Sequence, residues 1–178
     1  MDLEIDGVRF IELVVHGDDR GSFAEVYRQA WLPGEQPALQ GNLSRSSPGV
    51  LRGMHFHRRQ WDYWFVVTGT AFVALADLRR GSPTEGRIAT TRLSWEEPRG
   101  LFIPPGVAHG FLAETELVLG YLIDRYFDGS DEFGVAWDDP GLAIAWPTPD
   151  PTLSERDRGN PSLSAALETP LEYHRSVG

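Results

Sequence analysis

The chain has 178 residues, of which 41% are hydrophobic and 24% are charged, values that fit a globular domain with its own hydrophobic core. Its formal net charge of -10 argues against general binding to DNA or RNA, because a phosphate-binding surface needs to be basic. The absence of cysteine excludes disulfides, thiolate zinc sites and thiol catalysis.

The beginning of the chain, MDLEIDGVRF, lacks a basic segment followed by an apolar run, so we expect no signal peptide. No stretch approaches the ~20 consecutive apolar residues that a membrane-spanning helix needs. We therefore predict a cytoplasmic protein without a membrane partner, folded as one domain over residues 1–178.

Short apolar or alternating runs recur between turn-forming residues, and the chain contains 19 Gly and 13 Pro. Spacing of about 8–12 residues between such runs, rich in β-branched and aromatic residues, is typical of a β-sandwich or barrel. We predict an all-β fold, an antiparallel β-barrel or jelly roll with a few short peripheral helices. The runs predicted as strands are 8–15, 21–27, 50–57, 63–67, 70–78, 88–93, 100–103, 110–113 and 118–123.

Helical patterns are few. A short helix is predicted over 28–32, and a second over 161–168, where Ser162 has the side chain expected of an N-cap. The Pro- and Gly-rich segment 138–150 is predicted to be an ordered loop lying on the barrel, and residues 172–178 to be a frayed tail.

Three of the five histidines lie in patterned segments. His55 and His57 are two residues apart in a predicted strand, so their side chains should share one face. His109 follows a Pro-Pro-Gly turn that would deliver it to the start of the next strand. If that face is the barrel interior, these imidazoles share an enclosed pocket.

Seven ordered blocks resemble the dTDP-4-dehydrorhamnose 3,5-epimerases, the RmlC-type sugar-nucleotide epimerases, and the resemblance runs from about Gly7 to Leu163. The resemblance implies a cupin barrel, a homodimer with exchanged N-terminal strands, a nucleotide-sugar substrate and no cofactor. The blocks are DRGSFAE (19–25), QGNLSRS (40–46), GVLRGMH (49–55), DLRRGSPTEG (77–86), PGVAHGF (105–111), WDDP (137–140) and LSERD (153–157).

The resemblance also assigns catalytic roles. A ketone at C4 of the sugar acidifies the hydrogens on C3 and C5, because the resulting carbanion is an enolate. His55 is implied to be the base, and Asp157 the carboxylate that orients it and stabilises its imidazolium. Tyr121 is implied to be the acid that returns the proton.

Further residues are implied to hold the substrate. Arg20 and Arg52 match positions that contact diphosphate and sugar, a role that suits the guanidinium fork. Gln40 and Asn42 match polar contacts. The remaining predicted contacts are Phe23 and Tyr126 near the thymine, Glu25 at the nucleoside, and the pocket residues His57, Asp62 and His109.

One departure from the family pattern concerns the stabilisation of the enolate. The family run after the catalytic His reads approximately Gln-x-Lys, and here it reads Gln60-Trp-Asp62, while His57 replaces a glutamine. Loss of one group that stabilises the developing charge typically raises the barrier by ~3–4 kcal/mol. Either a protonated His57 paired with Asp62 donates to the enolate oxygen, or a metal ion supplies the charge.

The metal alternative would use His55, His57, Asp62 and His109 as ligands for Fe, Ni, Mn or Zn. A metal bound by His55 would take the lone pair that the base needs, so the two interpretations exclude each other at this residue. Three functions remain open: an epimerase of a dTDP-4-keto-6-deoxyhexose at C3, C5 or both, a metal-dependent cupin enzyme, and a non-catalytic sugar-nucleotide binding protein.

Overall fold

The computed structural model describes residues 3–33 and 36–173. Two short α-helices, α1 (Glu155–Arg158) and α2 (Leu163–Ala166), and two 3₁₀ turns, Gln29–Trp31 and Gly129–Asp131, accompany the strands. The strands are β1 (Arg9–Glu12), β2 (Val15–Asp18), β3 (Gly21–Ala24), β4 (Gln40–Ser46), β5 (Leu51–Phe56), β6 (Asp62–Thr68), β7 (Thr70–Asp77), β8 (Arg79–Arg80), β9 (Ile88–Ser94), β10 (Arg99–Ile103), β11 (Val107–Ala113), β12 (Leu117–Ile123), β13 (Phe133–Gly134) and β14 (Leu171–Glu172).

Two five-stranded antiparallel sheets make up the body of the fold. The first sheet has the order β1-β10-β6-β12-β4 and the second the order β13-β5-β11-β7-β9. Strands β2 and β3 form a separate hairpin, and β14 pairs in parallel with β8. The predicted jelly roll is confirmed. No helix in the described ranges is long and apolar enough to cross a membrane.

Side-chain alternation places the core between the two sheets. Trp64 and Val66 of β6 pack inward with Val73 and Leu75 of β7, and all four are buried. The neighbouring residues on the same strands point outward. Tyr63 of β6 packs in an outer cluster with Trp61 and Phe102. Phe72, Ala74 and Ala76 of β7 pack in a second outer cluster, under the C-terminal segment. A strand with period-two side chains therefore supplies both faces of its sheet.

The predicted loop over 138–150 covers the outside of the second sheet. Leu142 is fully buried there, and Ile144 and Trp146 pack against the same cluster. The Trp146 indole N–H donates to the Trp137 carbonyl at 2.9 Å, which satisfies the polar group that burial would otherwise strand. This part of the prediction is confirmed.

The structure corrects the predicted strands: the run 21–27 ends at Ala24, and the short strands β8, β13 and β14 were not predicted. Three further corrections concern longer segments. The run 8–15 is not one strand, because it ends at Glu12 and the hairpin strand begins at Val15. Strand β11 begins at Val107 rather than at residue 110. Strand β4 is absent from the predicted series, since its residues QGNLSRS are mostly polar and show no apolar alternation.

The helix and tail predictions had mixed outcomes. The 28–32 helix is a single 3₁₀ turn, whereas α2 forms with Ser162 accepting from the Ala165 N–H as its N-cap. The short helix α1 was not among the predictions. Fraying is wrong for residues 172 and 173, because Glu172 lies in β14 and the Tyr173 hydroxyl donates to Asp6. Residues 174–178 lie outside the described part.

A buried ion pair closes the turn after β7. The Asp77 carboxylate accepts from the Arg79 guanidinium at 2.7 Å and from the Ser82 and Thr84 hydroxyls at 2.6 and 2.7 Å. Burial alone would raise the pKa of Asp77, but these hydrogen bonds outweigh it and hold the pKa below its usual value. One of the family-like blocks, 77–86, thus has a structural role.

We expect Asp77→Asn to reduce the free energy of unfolding by about 3–5 kcal/mol, because it leaves the buried Arg79 cation without its anion. Asp77 binds a proton more readily when unfolded, so its contribution is present above pH ~4 and is lost as pH falls toward its folded pKa. Urea unfolding between pH 2 and 7 should show a shallower acid limb for the variant. Equal acid limbs for the two proteins would contradict this role.

Candidate active site

A cavity of about 230 Å³ opens between the two sheets and collects most of the predicted site residues. Strand β4 contributes alternate polar residues, β5 and β11 contribute histidines, and β6 and β12 contribute an acid and a phenol. The lining residues are Gln40, Asn42, Ser44, Arg52, His55, His57, Gln60, Asp62, Trp64, His109, Phe111, Leu119, Tyr121, Ile123, Phe127, Glu132 and Arg156.

A bulge in β5 decides which of its residues face the cavity. Arg52 pairs with Phe111 and His55 pairs with His109, so three steps along β5 match two along β11. The extra residue lies around Gly53, whose φ of +133° is open to glycine. Without it, Arg52 and His55 would point to opposite faces. With it, both line the cavity.

His55 is held by a carboxylate from outside the sheets. Its Nε2 lies 2.6 Å from Asp157 Oδ1, and Asp157 belongs to α1, where its own N–H donates to the capping Ser154 hydroxyl. Burial would raise the pKa of Asp157, but the hydrogen bond and charge of His55 hold it below the usual value. An ionised Asp157 only accepts, so Nε2 carries the proton and Nδ1 keeps the lone pair.

Tyr121 approaches the cavity from the other sheet. It lies on β12 of the first sheet, whereas His55 lies on β5 of the second. Burial raises the pKa of Tyr121, and the negative charges of Asp62 and Glu132 raise it further. The phenol is therefore protonated at neutral pH and can donate a proton.

A second group of ionisable side chains occupies the buried part of the cavity. The nearest ring nitrogens of His57 and His109 and a carboxylate oxygen of Asp62 all lie within 4.8 Å of one another. His57 Nε2 is 3.6 Å from Asp62 Oδ2. Burial lowers the pKa of His109 to about 4, so this imidazole is neutral near pH 7. His55 is not part of this group.

The turn between His57 and Asp62 is pinned by Asp131. Its carboxylate accepts the N–H groups of Arg58 and Arg59, both at 3.1 Å, and its carbonyl accepts from His57 Nδ1 at 2.8 Å. Gln60 donates to Asp62 Oδ2 at 3.1 Å. These contacts fix both ends of the segment that joins β5 to β6.

The cavity mouth combines polar and basic groups. Gln40 donates to Asn42 at 3.0 Å and accepts from the Phe127 N–H at 2.9 Å. Arg52 donates to the Ser46 hydroxyl at 3.1 Å, and Arg156 pairs with Glu132 at 2.6 Å. An anionic ligand would therefore meet guanidinium groups at the mouth.

Four predicted substrate contacts do not line the cavity of this chain. Arg20 and Phe23 lie on the β2–β3 hairpin, where their side chains are exposed and Arg20 pairs with Asp18. Glu25 pairs with Arg28, and Tyr126 is exposed. Their roles stay predictions.

Several lining residues are absent from the sequence prediction. Ser44 continues the alternation of Gln40 and Asn42, a signal that recognising β4 would have exploited. Glu132, Arg156 and Phe127 come from loops and from α1, and their approach to the cavity depends on tertiary packing that no local pattern encodes.

The two facing sheets form a jelly-roll barrel of the cupin type, and a carboxylate-held imidazole and a phenol face its cavity from opposite sheets. The family model described as dTDP-4-dehydrorhamnose 3,5-epimerase matches residues 2–165. The chain belongs to the dTDP-4-dehydrorhamnose 3,5-epimerase family, an isomerase family, as its sequence blocks predict.

Individual relatives agree over most of the chain. The dTDP-4-dehydrorhamnose 3,5-epimerase of Pseudomonas aeruginosa is 41% identical over 172 residues, 92% of this chain and 95% of the relative. The Legionella pneumophila epimerase, solved with dTDP-4-keto-L-rhamnose, is 34% identical with a TM-score of 0.89, covering 97% of this chain and 96% of that one. ChmJ of Streptomyces bikiniensis, a 3'-monoepimerase solved with dTDP-quinovose, is 33% identical with a TM-score of 0.86, covering 93% and 88%.

The close packing of Gly53 at the bulge can be tested by substitution. A Cβ on Gly53 would lie 2.6 Å from the Gly110 Cα, whereas one on Gly81, whose φ is +81°, meets nothing within 4 Å. We expect Gly81→Ala to reduce the free energy of unfolding by about 1–2 kcal/mol from backbone strain alone. Gly53→Ala should lose about 1–3 kcal/mol more from overpacking. Equal losses in chemical denaturation would contradict the close approach.

Proposed function

We propose that this protein is a cytoplasmic, single-domain, homodimeric epimerase of a dTDP-4-keto-6-deoxyhexose, acting at C3, C5 or both. The observation that carries the proposal is that His55, held by Asp157, lines the same cavity as Tyr121, with base and phenol on opposite sheets. Inversion at a carbon needs a proton to leave from one face and return from the other, and this placement supports that requirement.

In the first step Nδ1 of His55 takes the proton from the carbon beside the C4 ketone. The electron pair moves into the ketone, which becomes an enolate, and His55 becomes an imidazolium. Asp157 Oδ1, 2.6 Å from Nε2, stabilises that cation and holds the ring in the required tautomer. General bases placed in this way typically contribute about 10²–10⁴-fold to the rate.

In the second step Tyr121 gives its phenolic proton to the opposite face of the same carbon. Its raised pKa keeps the proton available at neutral pH, and the adjacent Arg52 charge favours the phenolate that forms. A proton from solvent then restores Tyr121, and His55 releases its own. The product is the epimer with the ketone unchanged.

The nucleotide is held at the mouth of the cavity. Arg52 and Arg156 supply guanidinium groups for the diphosphate, and the exposed Phe127 ring offers a surface on which a base can stack. The bound dTDP-sugars of the Legionella and Streptomyces relatives support a substrate of this class.

We further propose that the β2–β3 hairpin completes the cavity of a second copy. Arg20 and Phe23 match family contacts to substrate but are exposed in one chain, at 91% for the Arg20 side chain and 68% for Phe23. Val14, next to the hairpin, is also exposed, at 65%. Burial of this segment against a partner would remove apolar surface from water and bring a further arginine to the diphosphate.

The assembly of His55, Asp157 and Tyr121 argues against a protein that only binds sugar nucleotides. Binding alone needs neither an oriented imidazole nor a phenol with a raised pKa. His55 and Tyr121 line the cavity, and Asp157 contacts His55.

Proton exchange tests the proposed chemistry directly. Incubation with dTDP-4-keto-6-deoxyglucose in deuterium oxide should place deuterium on C3, C5 or both, and the labelled position identifies the epimerised carbon by NMR. His55→Asn should reduce incorporation by about 100-fold or more. Tyr121→Phe should reduce product formation more than it reduces exchange, because proton removal still occurs.

Asp157→Asn serves as the intermediate case, since it keeps the shape of the side chain and removes the charge that stabilises the imidazolium. Its incorporation rate should lie between those of the wild type and His55→Asn. Wild-type protein that leaves this sugar and related 4-keto sugars unlabelled would rule out the proposed function.

Co-expression of His55→Asn and Arg20→Ala chains tests the exchanged hairpin. Each variant alone should be inactive or strongly impaired. If a hairpin serves the partner's cavity, one site of every mixed dimer contains neither change, and random assembly should give about a quarter of wild-type activity. Activity no greater than the average of the two separate variants would show that Arg20 acts within its own chain or not at all.

A further inference from the structure

Two imidazoles and one carboxylate meet in the buried part of the cavity, beside the proposed catalytic pair and separate from it. The nitrogens of His57 and His109 and the oxygen of Asp62 lie within 4.8 Å of one another. His57 directly follows β5 and His109 lies on β11, both of the second sheet, whereas Asp62 begins β6 of the first sheet. The group therefore bridges the two sheets of the barrel. We propose that this group binds a divalent transition-metal ion.

Hydrogen bonds give both imidazoles the tautomer that a metal ligand needs. His57 Nδ1 lies 2.8 Å from the Asp131 carbonyl, and His109 Nδ1 lies 3.0 Å from the Val107 carbonyl. A carbonyl can only accept, so in each ring Nδ1 carries a proton and Nε2 is the nitrogen that remains to bind a metal. Metal-binding histidines are almost always oriented in this way by a partner on the other ring nitrogen.

The carboxylate is oriented as well. Gln60 donates to Asp62 Oδ2 at 3.1 Å, and the Asp62 side chain is 5% exposed. Around an ion with bonds of about 2.1 Å, neighbouring ligand atoms lie about 3–3.5 Å apart. The His57–Asp62 pair at 3.6 Å is close to that range, and the other separations, up to 4.8 Å, must contract on binding. Two imidazoles with one carboxylate suit Fe(II), Mn(II), Co(II), Ni(II) or Zn(II).

Within residues 3–33 and 36–173, no arginine forms an ion pair with the Asp62 carboxylate. The chain contains no lysine, and in the described residues the only ion-pair partner of Asp62 is the His57 ring at 3.6 Å. The arginines of the cavity are engaged elsewhere, Arg52 with Ser46 and Arg156 with Glu132. A buried carboxylate is expensive unless it is paired or coordinates a metal, and the two imidazoles beside it are of the kind that would share such a metal.

The site leaves the proposed base free. His55 is not one of the three grouped ligands, and its Nε2 lies 2.6 Å from Asp157 Oδ1. The sequence predicted a metal site of four ligands that included His55, and such a site would have prevented His55 from acting as the base. The structure groups only the other three residues. Proton abstraction by His55 and metal binding by its neighbours are compatible in one cavity.

The function of the ion rests on the proposed epimerase reaction. An ion bound by three protein ligands keeps open positions, where the C4 ketone oxygen of the substrate can coordinate. Its positive charge would then stabilise the enolate that forms when His55 removes the neighbouring proton. No electron is transferred, and the same oxygen is released when the ketone is restored.

Binding is tested with Co²⁺ alone, titrated into untagged, chelator-treated protein and followed by calorimetry and visible absorption. We expect one Co²⁺ per chain. Asp62→Asn, which preserves side-chain shape, and His57→Gln should each weaken binding by about 100-fold or more. His55→Asn and His16→Gln are the matched controls, a cavity residue outside the ligand set and an exposed histidine, and both should bind as the wild type does.

Thermal unfolding scans establish that the variants are folded, and Co²⁺ should raise the melting temperature of the wild type but not of Asp62→Asn. Absence of Co²⁺ binding at millimolar concentration would overturn the site. Binding that survives both ligand changes equally would do the same.

Deuterium incorporation then tests whether the bound ion takes part in the proposed epimerisation. Removal of metal should lower the exchange rate by about 100-fold, and Co²⁺ should restore it. Stoichiometric Co²⁺ with exchange that is unchanged by chelation would overturn the Lewis-acid role and leave the epimerase function intact. Stoichiometric Co²⁺ without exchange in the loaded protein would overturn the epimerase function and leave the metal site.

Discussion

The register of β5 against β11 is the constraint on which the site depends. Side chains of a strand alternate, so residues three apart point to opposite faces unless the strand contains an extra residue. The bulge at Gly53 supplies that residue, and Arg52 then faces the cavity together with His55 and His57. Met54 and Phe56 consequently turn to the outer cluster, where both are fully buried. The same irregularity thus arranges the cavity and anchors the C-terminal segment.

That anchored segment in turn fixes the proposed base. Val135 and Leu142 are buried against the outside of the second sheet, so the chain beyond β13 is held close to β5. The short helix α1, capped by Ser154, then delivers Asp157 to His55. A four-residue helix has little stability of its own, so the position of the carboxylate depends on the packing around it. Catalytic geometry here is a consequence of the outer core as much as of the barrel.

The features that could be predicted from the sequence are those that depend on local patterns, such as side-chain alternation along a strand. The period-two pattern of β6 and β7 fixes their two faces, and the shared face of His55 and His57 survives because the bulge lies before both of them. Strand β4 escapes such reasoning because its polar side chains face the cavity mouth and solvent instead of a core. Loop residues such as Glu132 and Arg156 escape it because only tertiary contacts bring them to the site.

A different limit applies to Arg20 and Phe23. Family-like motifs single them out, yet neither residue lines the cavity of its own chain. Residues that act across a dimer interface have no partner in one copy, so their exposure is what an exchanged hairpin would show before assembly. A motif can therefore indicate a functional residue correctly while one chain leaves its function unexplained.

Asp62 is the residue at which the chemistry of this chain departs from the pattern of its blocks. A carboxylate near a forming enolate is unfavourable by itself, because like charges repel at close range in a cavity of low dielectric. The lowered pKa of His109 means that this imidazole does not neutralise the charge near pH 7. The divalent ion proposed here would reverse the sign of the whole group, so that an acid opposing the proposed reaction would become a ligand that supports it. The chain keeps an oriented imidazole and a phenol beside the Asp62 carboxylate. These groups can serve the proposed epimerisation only if the negative charge of Asp62 is compensated when the enolate forms.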